Sequence, residues 1–172
     1  MRKTLLVLGG ARSGKSTFAE ARVATSGLAQ VYLATATAGD AEMAERIARH
    51  RARRGPAWRV VEEPLDLIDA LDRSAARESA VLVDCLTLWL SNLMHAGRDV
   101  DHEAARLVAW LATAPGHVVL VSNEVGLGLV PETALGRSFR DAQGRLNQQV
   151  AAAAAEVAFV AAGLPLWLKR GT

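Results

Sequence analysis

The sequence predicts an α/β fold, a mostly parallel β-sheet with helices on both faces. Three observations carry that expectation. Short apolar runs such as Thr4 to Leu8 and Ala80 to Val83 show no polar alternation, as expected of strands buried on both sides. Longer stretches of helical pattern separate these runs, and strands alternating with helices build parallel sheets. A chain of 172 residues, 51% of them hydrophobic, has ample material for one packed core.

Each element has its own justification. Thr4 to Leu8 is a buried strand bounded by glycines, and Lys15 to about Ser26 is a helix stopped by Gly27. Val31 to Ala34 is a second strand. Asp40 to Arg54 reads as a helix with Asp40 as its cap and Gly55-Pro56 as its end. A helix over Leu65 to Ser79 leads into a strand from Ala80 to Asp84, and helices over Leu86 to Met94 and Asp101 to Ala112 follow. His117 to Ser122 is a further strand. A long helix spans Arg137 to Ala155, and Val157 to Ala161 and Leu166 to Lys169 close the chain as strands. No fixed-period repeat and no Pro/Gly/Ser-rich linker divides the chain, so residues 1–172 read as one domain.

Composition excludes several classes. Charged residues make up 22% of a largely apolar chain, which is not the signature of disorder. No uncharged run approaches membrane-spanning length. Met1-Arg2-Lys3 before Thr4 to Leu8 imitates a signal peptide, but the apolar stretch is too short and Arg12 follows in place of a cleavage site. The single cysteine, Cys85, can form no internal disulfide. A cytoplasmic protein is expected. A net charge of +2 does not by itself imply a nucleic-acid partner, and none is expected.

Gly9-Gly10-Ala11-Arg12-Ser13-Gly14-Lys15-Ser16 fits G-x-x-x-x-G-K-[ST] at every fixed position, directly after a strand and before a helix. Glycines let successive N–H groups curl toward phosphate oxygens, and the helix places its positive end at the same point. Lys15 is the candidate catalytic cation reaching the β/γ-phosphates, and the Ser16 hydroxyl is a candidate Mg²⁺ ligand. The sheet is thereby expected to be P-loop NTPase-like, of RecA-like type. Asp84, ending an apolar strand, is the candidate second Mg²⁺ partner. An N-cap for the helix starting at Leu86 would equally explain an Asp there. Ser122-Asn123-Glu124-Val125 does not supply the Asn-Lys-x-Asp pattern of a GTP switch. Asn123 and Glu124 are nonetheless candidate site residues beside the nucleotide.

Arg46, Arg49, Arg51, Arg53 and Arg54 crowd around His50. At about 100° per residue, Arg46, Arg49, His50 and Arg53 share one arc, with Met43, Ala44 and Ile47 on the inward side. Three readings stand: a solvated basic face, a nucleic-acid surface, or a polyphosphate clamp around an imidazole that its cationic neighbours keep neutral. His95, His102 and His117 have no acid or cysteine at ligand spacing, which makes a zinc site improbable. Gly126 and Gly128 fit positive-φ loop positions, with Pro131 opening the next element. Arg137, Arg140 and Arg145 either contact substrate phosphate or line a helix surface.

Taken together, the segments point to a family. The phosphate loop is followed by Tyr32-Leu33-Ala34-Thr35-Ala36, Glu42-Met43, Arg46-Ile47-Ala48-Arg49-His50, and Trp58 through Glu62-Glu63-Pro64. Asp84-Cys85-Leu86-Thr87-Leu88-Trp89-Leu90-Ser91-Asn92 and Ser122 through Pro131 come next, then Phe139-Arg140-Asp141, Gly144, Asn147-Gln148 and the last strand. In this order they resemble the bifunctional adenosylcobinamide kinase / adenosylcobinamide-phosphate guanylyltransferases of cobalamin biosynthesis. Leu65 to Ser79 and His95 to Gly116 carry little of the resemblance.

The resemblance implies two reactions. A nucleoside triphosphate, ATP or GTP, first phosphorylates the aminopropanol hydroxyl of adenosylcobinamide. GTP then transfers GMP to that phosphate, giving adenosylcobinamide-GDP and pyrophosphate through a guanylylated histidine, here His50. It also implies nucleotide contacts at Gly9, Gly10, Ala11, Arg12, Ser13, Gly14, Lys15 and Ser16, at Ala34, Thr35 and Ala36, at Arg51, Ala52, Arg53 and Arg54, and at Glu62 and Asp84. A homotrimer is expected on the same ground. A P-loop small-molecule kinase without a covalent histidine is the alternative enzyme, and a nucleic-acid-binding module using the arginine helix the non-enzymatic one.

Overall fold

A computed structural model describes residues 3–37 and 55–170. The expected Asp40 to Arg54 helix lies outside these residues. The strands are β1 (Lys3–Gly9), β2 (Ala29–Ala34), β3 (Trp58–Glu62), β4 (Ser79–Asp84), β5 (His117–Asn123), β6 (Glu156–Ala161) and β7 (Leu164–Lys169). The helices are α1 (Lys15–Ala24), α2 (Leu67–Ser74), α3 (Leu86–His95), α4 (Val100–Thr113) and α5 (Ala134–Ala153). One seven-stranded sheet runs in the order β3-β2-β4-β5-β1-β6-β7. Every pairing is parallel except β6 with β7. That mostly parallel sheet is the predicted one.

The continuous apolar runs are explained by burial on both faces. On one face Leu6, Val81, Val83, Val118 and Leu120 pack with α2, α3, α4 and α5 through Leu71, Trp89, Leu107 and Leu146. On the other, Leu5, Val7, Leu82, Val119 and Val121 meet Ala19 and Val23 of α1. Trp89, the largest fully buried side chain, also satisfies its indole N–H by donating to the Leu65 carbonyl at 2.8 Å.

Several boundaries differ from the sequence expectation. β3 is an additional strand: only half-buried or exposed along its length, it carries too little apolar pattern to stand out. The helix expected over Leu65 to Ser79 stops at Ser74, because Ser79 starts β4 and its hydroxyl takes up the turn, accepting from Ala76 N at 2.8 Å. α1 ends at Ala24, with Gly27 at φ 72° in the loop beyond. α5 begins at Ala134, where Thr133 caps it by accepting from Gly136 N at 3.0 Å, so Pro131 precedes the helix without starting it. Among the described glycines, Gly126 and Gly128 are not at positive φ.

Candidate active site

The carboxyl ends of the parallel strands lie along one edge. Register places Gly9 beside Asn123, Asp84 beside Val121 and Ala34, and Ala34 beside Glu62. Reading across the sheet, the edge presents Glu62, Ala34, Asp84, Asn123 and the phosphate loop. At the usual strand spacing, Asp84 stands roughly 10 Å and Glu62 roughly 19 Å from the loop strand. Asp84 is thus within reach of a polyphosphate on the loop, while Glu62 faces a more distant part of any ligand.

The loop is built from close approach. A Cβ on Gly9 would meet Ser13 Oγ at 2.5 Å and the Val160 carbonyl at 2.6 Å. Gly14 adopts φ 93°, and its added Cβ would stand 3.0 Å from Gly163 Cα, so the β6–β7 turn presses against the loop. Gly163 N donates to the Ser13 carbonyl at 2.8 Å, and Arg12 sits at φ 54°. Gly14 occupies the N-cap of α1 with no side-chain cap, and the first turn has no acid. The helix N–H groups therefore keep their capacity for an anion. Lys15 donates to the Gly10 carbonyl at 3.1 Å, arched over its own loop.

Asp84 is not a helix cap. Cys85 takes the N-cap position of α3, and Asp84 Oδ2 accepts the Tyr32 hydroxyl at 3.0 Å across the sheet. Next to it, the Thr35 hydroxyl donates to the Cys85 carbonyl at 2.7 Å and accepts from Cys85 N at 2.9 Å. Asn92 ties the same loop down by donating to the carbonyls of Thr35 at 2.8 Å and Pro64 at 3.0 Å. Thr35 is fully buried, so its side chain is a strut, while Ala34 and Ala36 stay half-buried at the edge. Burial and the neighbouring Asp84 carboxylate push the Cys85 thiol up to about 11, against a smaller opposing effect of Lys15. Cys85 is therefore a protonated core residue and no nucleophile.

The candidate residues fall unevenly on the described part of the chain. Gly9 to Ser16, Ala34 to Ala36, Glu62 and Asp84 share the edge. His50, Arg51, Ala52, Arg53 and Arg54 lie outside the described residues, as do Arg46 and Arg49. Arg137 is engaged by its own loop, donating to the carbonyls of Pro131 at 3.1 Å and Glu132 at 2.7 Å. Arg140 pairs with adjacent Asp141 at 3.5 Å, and Arg145 is exposed. Tyr32, which orients Asp84, is not among the residues the sequence singled out for the site, although a tyrosine inside a buried strand needs a hydrogen-bond partner and so carried a signal.

The phosphate loop and the Asp84 edge are shared by many nucleotide enzymes, and comparison narrows them. The sequence model of the family described as "Cobinamide kinase / cobinamide phosphate guanyltransferase" matches residues 5–168. The chain belongs to this family. Its relatives include the "Bifunctional adenosylcobalamin biosynthesis protein CobP" of Pseudomonas aeruginosa, 51% identical over 95% of this chain and 96% of that one. The CobU proteins of Escherichia coli and Salmonella typhimurium are 41% and 40% identical, each over 96% of this chain and 99% of theirs. The crystal structure of flagellar accessory protein FlaH from Methanocaldococcus jannaschii shares the fold alone. It aligns at TM-score 0.51 and 12% identity over 98% of this chain and 79% of that one. With the G-x-x-x-x-G-K-S loop between β1 and α1, the fold is of P-loop NTPase type, and the chain is a cobinamide kinase / cobinamide phosphate guanyltransferase, an enzyme of adenosylcobalamin biosynthesis.

Proposed function

We propose that the carboxyl edge runs both reactions with the residues named above, and that the second passes through His50. In the kinase step the adenosylcobinamide hydroxyl oxygen bonds to the γ-phosphorus of ATP or GTP, the bond to the departing diphosphate breaks, and the hydroxyl proton is released. In the transfer step an imidazole nitrogen of His50 bonds to the α-phosphorus of GTP and pyrophosphate leaves. A phosphate oxygen of adenosylcobinamide phosphate then displaces the histidine, giving adenosylcobinamide-GDP and restoring the imidazole. One difficult transfer becomes two easier ones. The match over residues 5–168, which includes the loop, Asp84 and His50, is the observation that carries this reading.

Lys15 and the loop amides hold phosphate charge, and Arg51, Ala52, Arg53, Arg54, Ala34, Thr35, Ala36 and Glu62 complete the nucleotide contacts. Ser16 and Asp84 would hold Mg²⁺, and the Tyr32 hydroxyl on one carboxylate oxygen orients Asp84 for that purpose. Bound there, the ion supplies charge neutralisation at the phosphates. Residues 1–172 act as one domain, working in the cytoplasm without a nucleic-acid partner. Among the described residues no helix is long and apolar enough to cross a membrane.

A homotrimer is part of the same proposal. Leu127, Leu129 and Val130 in the loop after β5, and Leu164, Leu166 and Leu168 on edge strand β7, are all more than half exposed. Apolar surface of this kind favours burial against other copies. Light scattering on the purified protein is expected to give three times the chain mass; a monomer would contradict it.

The deciding experiment is intact mass after incubation with Mg²⁺ and GTP. One acid-labile GMP adduct, absent in His50→Ala, is expected. An active protein with no adduct would leave the plain kinase mechanism in its place.

A further inference from the structure

The kinase reaction removes a proton from a hydroxyl, so a proton acceptor must stand where that hydroxyl meets the phosphorus. Among the described residues, the carboxylates at the carboxyl ends of the strands are Glu62, Glu63, Asp84 and Glu124. Glu62, roughly 19 Å from the loop strand, is too far away. Glu63 spends its Oε1 on the N–H groups of Leu65 at 3.0 Å and Asp66 at 2.9 Å. Asp84 takes the Tyr32 hydroxyl at 3.0 Å and, on the reading above, gives its charge to Mg²⁺. A carboxylate on a metal ion is a poor base. Glu124 remains.

Its backbone places it. β5 lies next to the loop strand β1, and Glu124 follows the last residue of β5. Thr87 Oγ1 accepts from Asn123 N at 2.8 Å, and Asn147 Nδ2 donates to the Asn123 carbonyl at 3.1 Å. Glu124 N then donates to the Gly9 carbonyl at 3.1 Å. The main chain entering Glu124 is thereby fixed to α3, to α5 and to the first residue of the phosphate loop. The side chain is held too, because Oε1 accepts from Gly126 N at 2.7 Å. A Cβ on Gly126 would stand 2.9 Å from that oxygen, so the glycine leaves the carboxylate its place. Glu124 is half-buried, and its Oε2 makes no hydrogen bond among the described residues. On the other flank of β1, Gly163 N donates to the Ser13 carbonyl at 2.8 Å, and the β6–β7 turn closes the loop. A hydroxyl approaching a phosphate on the loop therefore comes from the β5 side, past Glu124.

We propose that Glu124 is the general base of the kinase step. Oε2 takes the proton of the adenosylcobinamide hydroxyl as the hydroxyl oxygen bonds to the γ-phosphorus. The bond to the departing diphosphate breaks, and its electron pair stays on the diphosphate oxygen. The proton then passes to solvent and the carboxylate is restored. Guanylyl transfer asks nothing of Glu124, because the nucleophile that completes it, a phosphate oxygen of adenosylcobinamide phosphate, is already anionic. Two reactions on one phosphate loop thus differ in their need for this carboxylate.

This inference rests on the phosphate-loop reading, and the test separates the two. Steady-state assays follow phosphorylation of adenosylcobinamide with ATP or GTP, and guanylylation of adenosylcobinamide phosphate with GTP. Glu124→Gln keeps an acceptor for Gly126 N but cannot take the proton. Its kinase kcat should fall about 100-fold or more, with KM for both substrates within about threefold. Its transfer rate should stay within about twofold of wild type. Glu124→Asp, one methylene shorter, should recover part of the kinase rate. A folded Gln variant that loses both reactions equally, or that keeps the kinase rate, would overturn the assignment. Should melting show that the Gln variant does not fold, the same comparison of two rates in the Asp variant decides. Lys15→Ala with both reactions intact would overturn the phosphate-loop reading itself.

Discussion

Two half-buried or buried acids in this protein are held in opposite ways. Asp84, at the carboxyl edge of the sheet, receives a neutral phenol from Tyr32 and makes no ion pair among the described residues. Glu103 on α4 is 4% exposed and is gripped by two guanidinium groups, Arg98 at 2.6 Å and Arg106 at 3.0 Å. Those arginines reach on to Asp66 at 3.3 Å and Asp69 at 3.5 Å, so α2 and α4 are laced together. The hydrogen bond to Glu103 raises the Arg98 guanidinium above its ordinary value. A carboxylate paired with two cations has its charge spent inside the protein, whereas on the proposed reading one oriented by a hydroxyl keeps its charge for a cation that arrives with the substrate.

Substitutions on the two sides should separate cleanly. The largest effect belongs to the edge: Asp84→Ala should lower kcat/KM of the kinase step by about 10²–10³ with little change in melting temperature, read by steady-state assay and thermal scan. A fall in stability without that kinetic loss would make Asp84 structural, like Glu103. On α4, Glu103→Ala should leave both activities near wild type and cost about 2 kcal/mol, measured by urea denaturation. The arginines are over a third exposed and remain partly paired, which keeps the cost below that of a stranded buried charge.

Cys85 adds a pH test between the two. Its folded value is about 11 against an ordinary 9.0, so the native state favours the neutral thiol. That preference is fully in place below pH 9 and is lost as pH rises toward 11, where the unfolded chain ionises first. Stability should fall by on the order of 2 kcal/mol across that window, and Cys85→Ala should remove this part of the fall. The smallest effect is Tyr32→Phe. Losing one hydroxyl on Asp84 should reduce the kinase rate about tenfold at limiting Mg²⁺ and less at saturating Mg²⁺. An equal loss at every Mg²⁺ concentration would detach Tyr32 from the cation.

How far the site could be read from the chain varied with how local each feature is. The phosphate loop is contiguous, its glycines demanded by contacts with Ser13, Val160 and Gly163, and it was fully legible. Asp84 was legible as a candidate, but choosing between a cap and an edge carboxylate required β2 beside β4, since Tyr32 lies 52 residues away in sequence. β3 escaped notice because an edge strand with exposed positions lacks the apolar pattern that marked β1, β4 and β5. Asn147 Oδ1 on α5 accepts from Ser122 Oγ on β5 at 2.7 Å and from Gln143 Nε2 at 3.0 Å, a cluster that joins a strand to a helix, so no spacing rule could announce it.

By itself the sequence determined the class of fold, the phosphate-binding turn and the resemblance that named the chemistry, because periodicity, glycine placement and motif order are properties of neighbours along the chain. The tertiary structure alone decided the strand order, the orientation of Asp84 and the polar contacts that join β5 to α5. Those depend on which distant backbones lie about 5 Å apart across the sheet, and a linear pattern does not encode that distance.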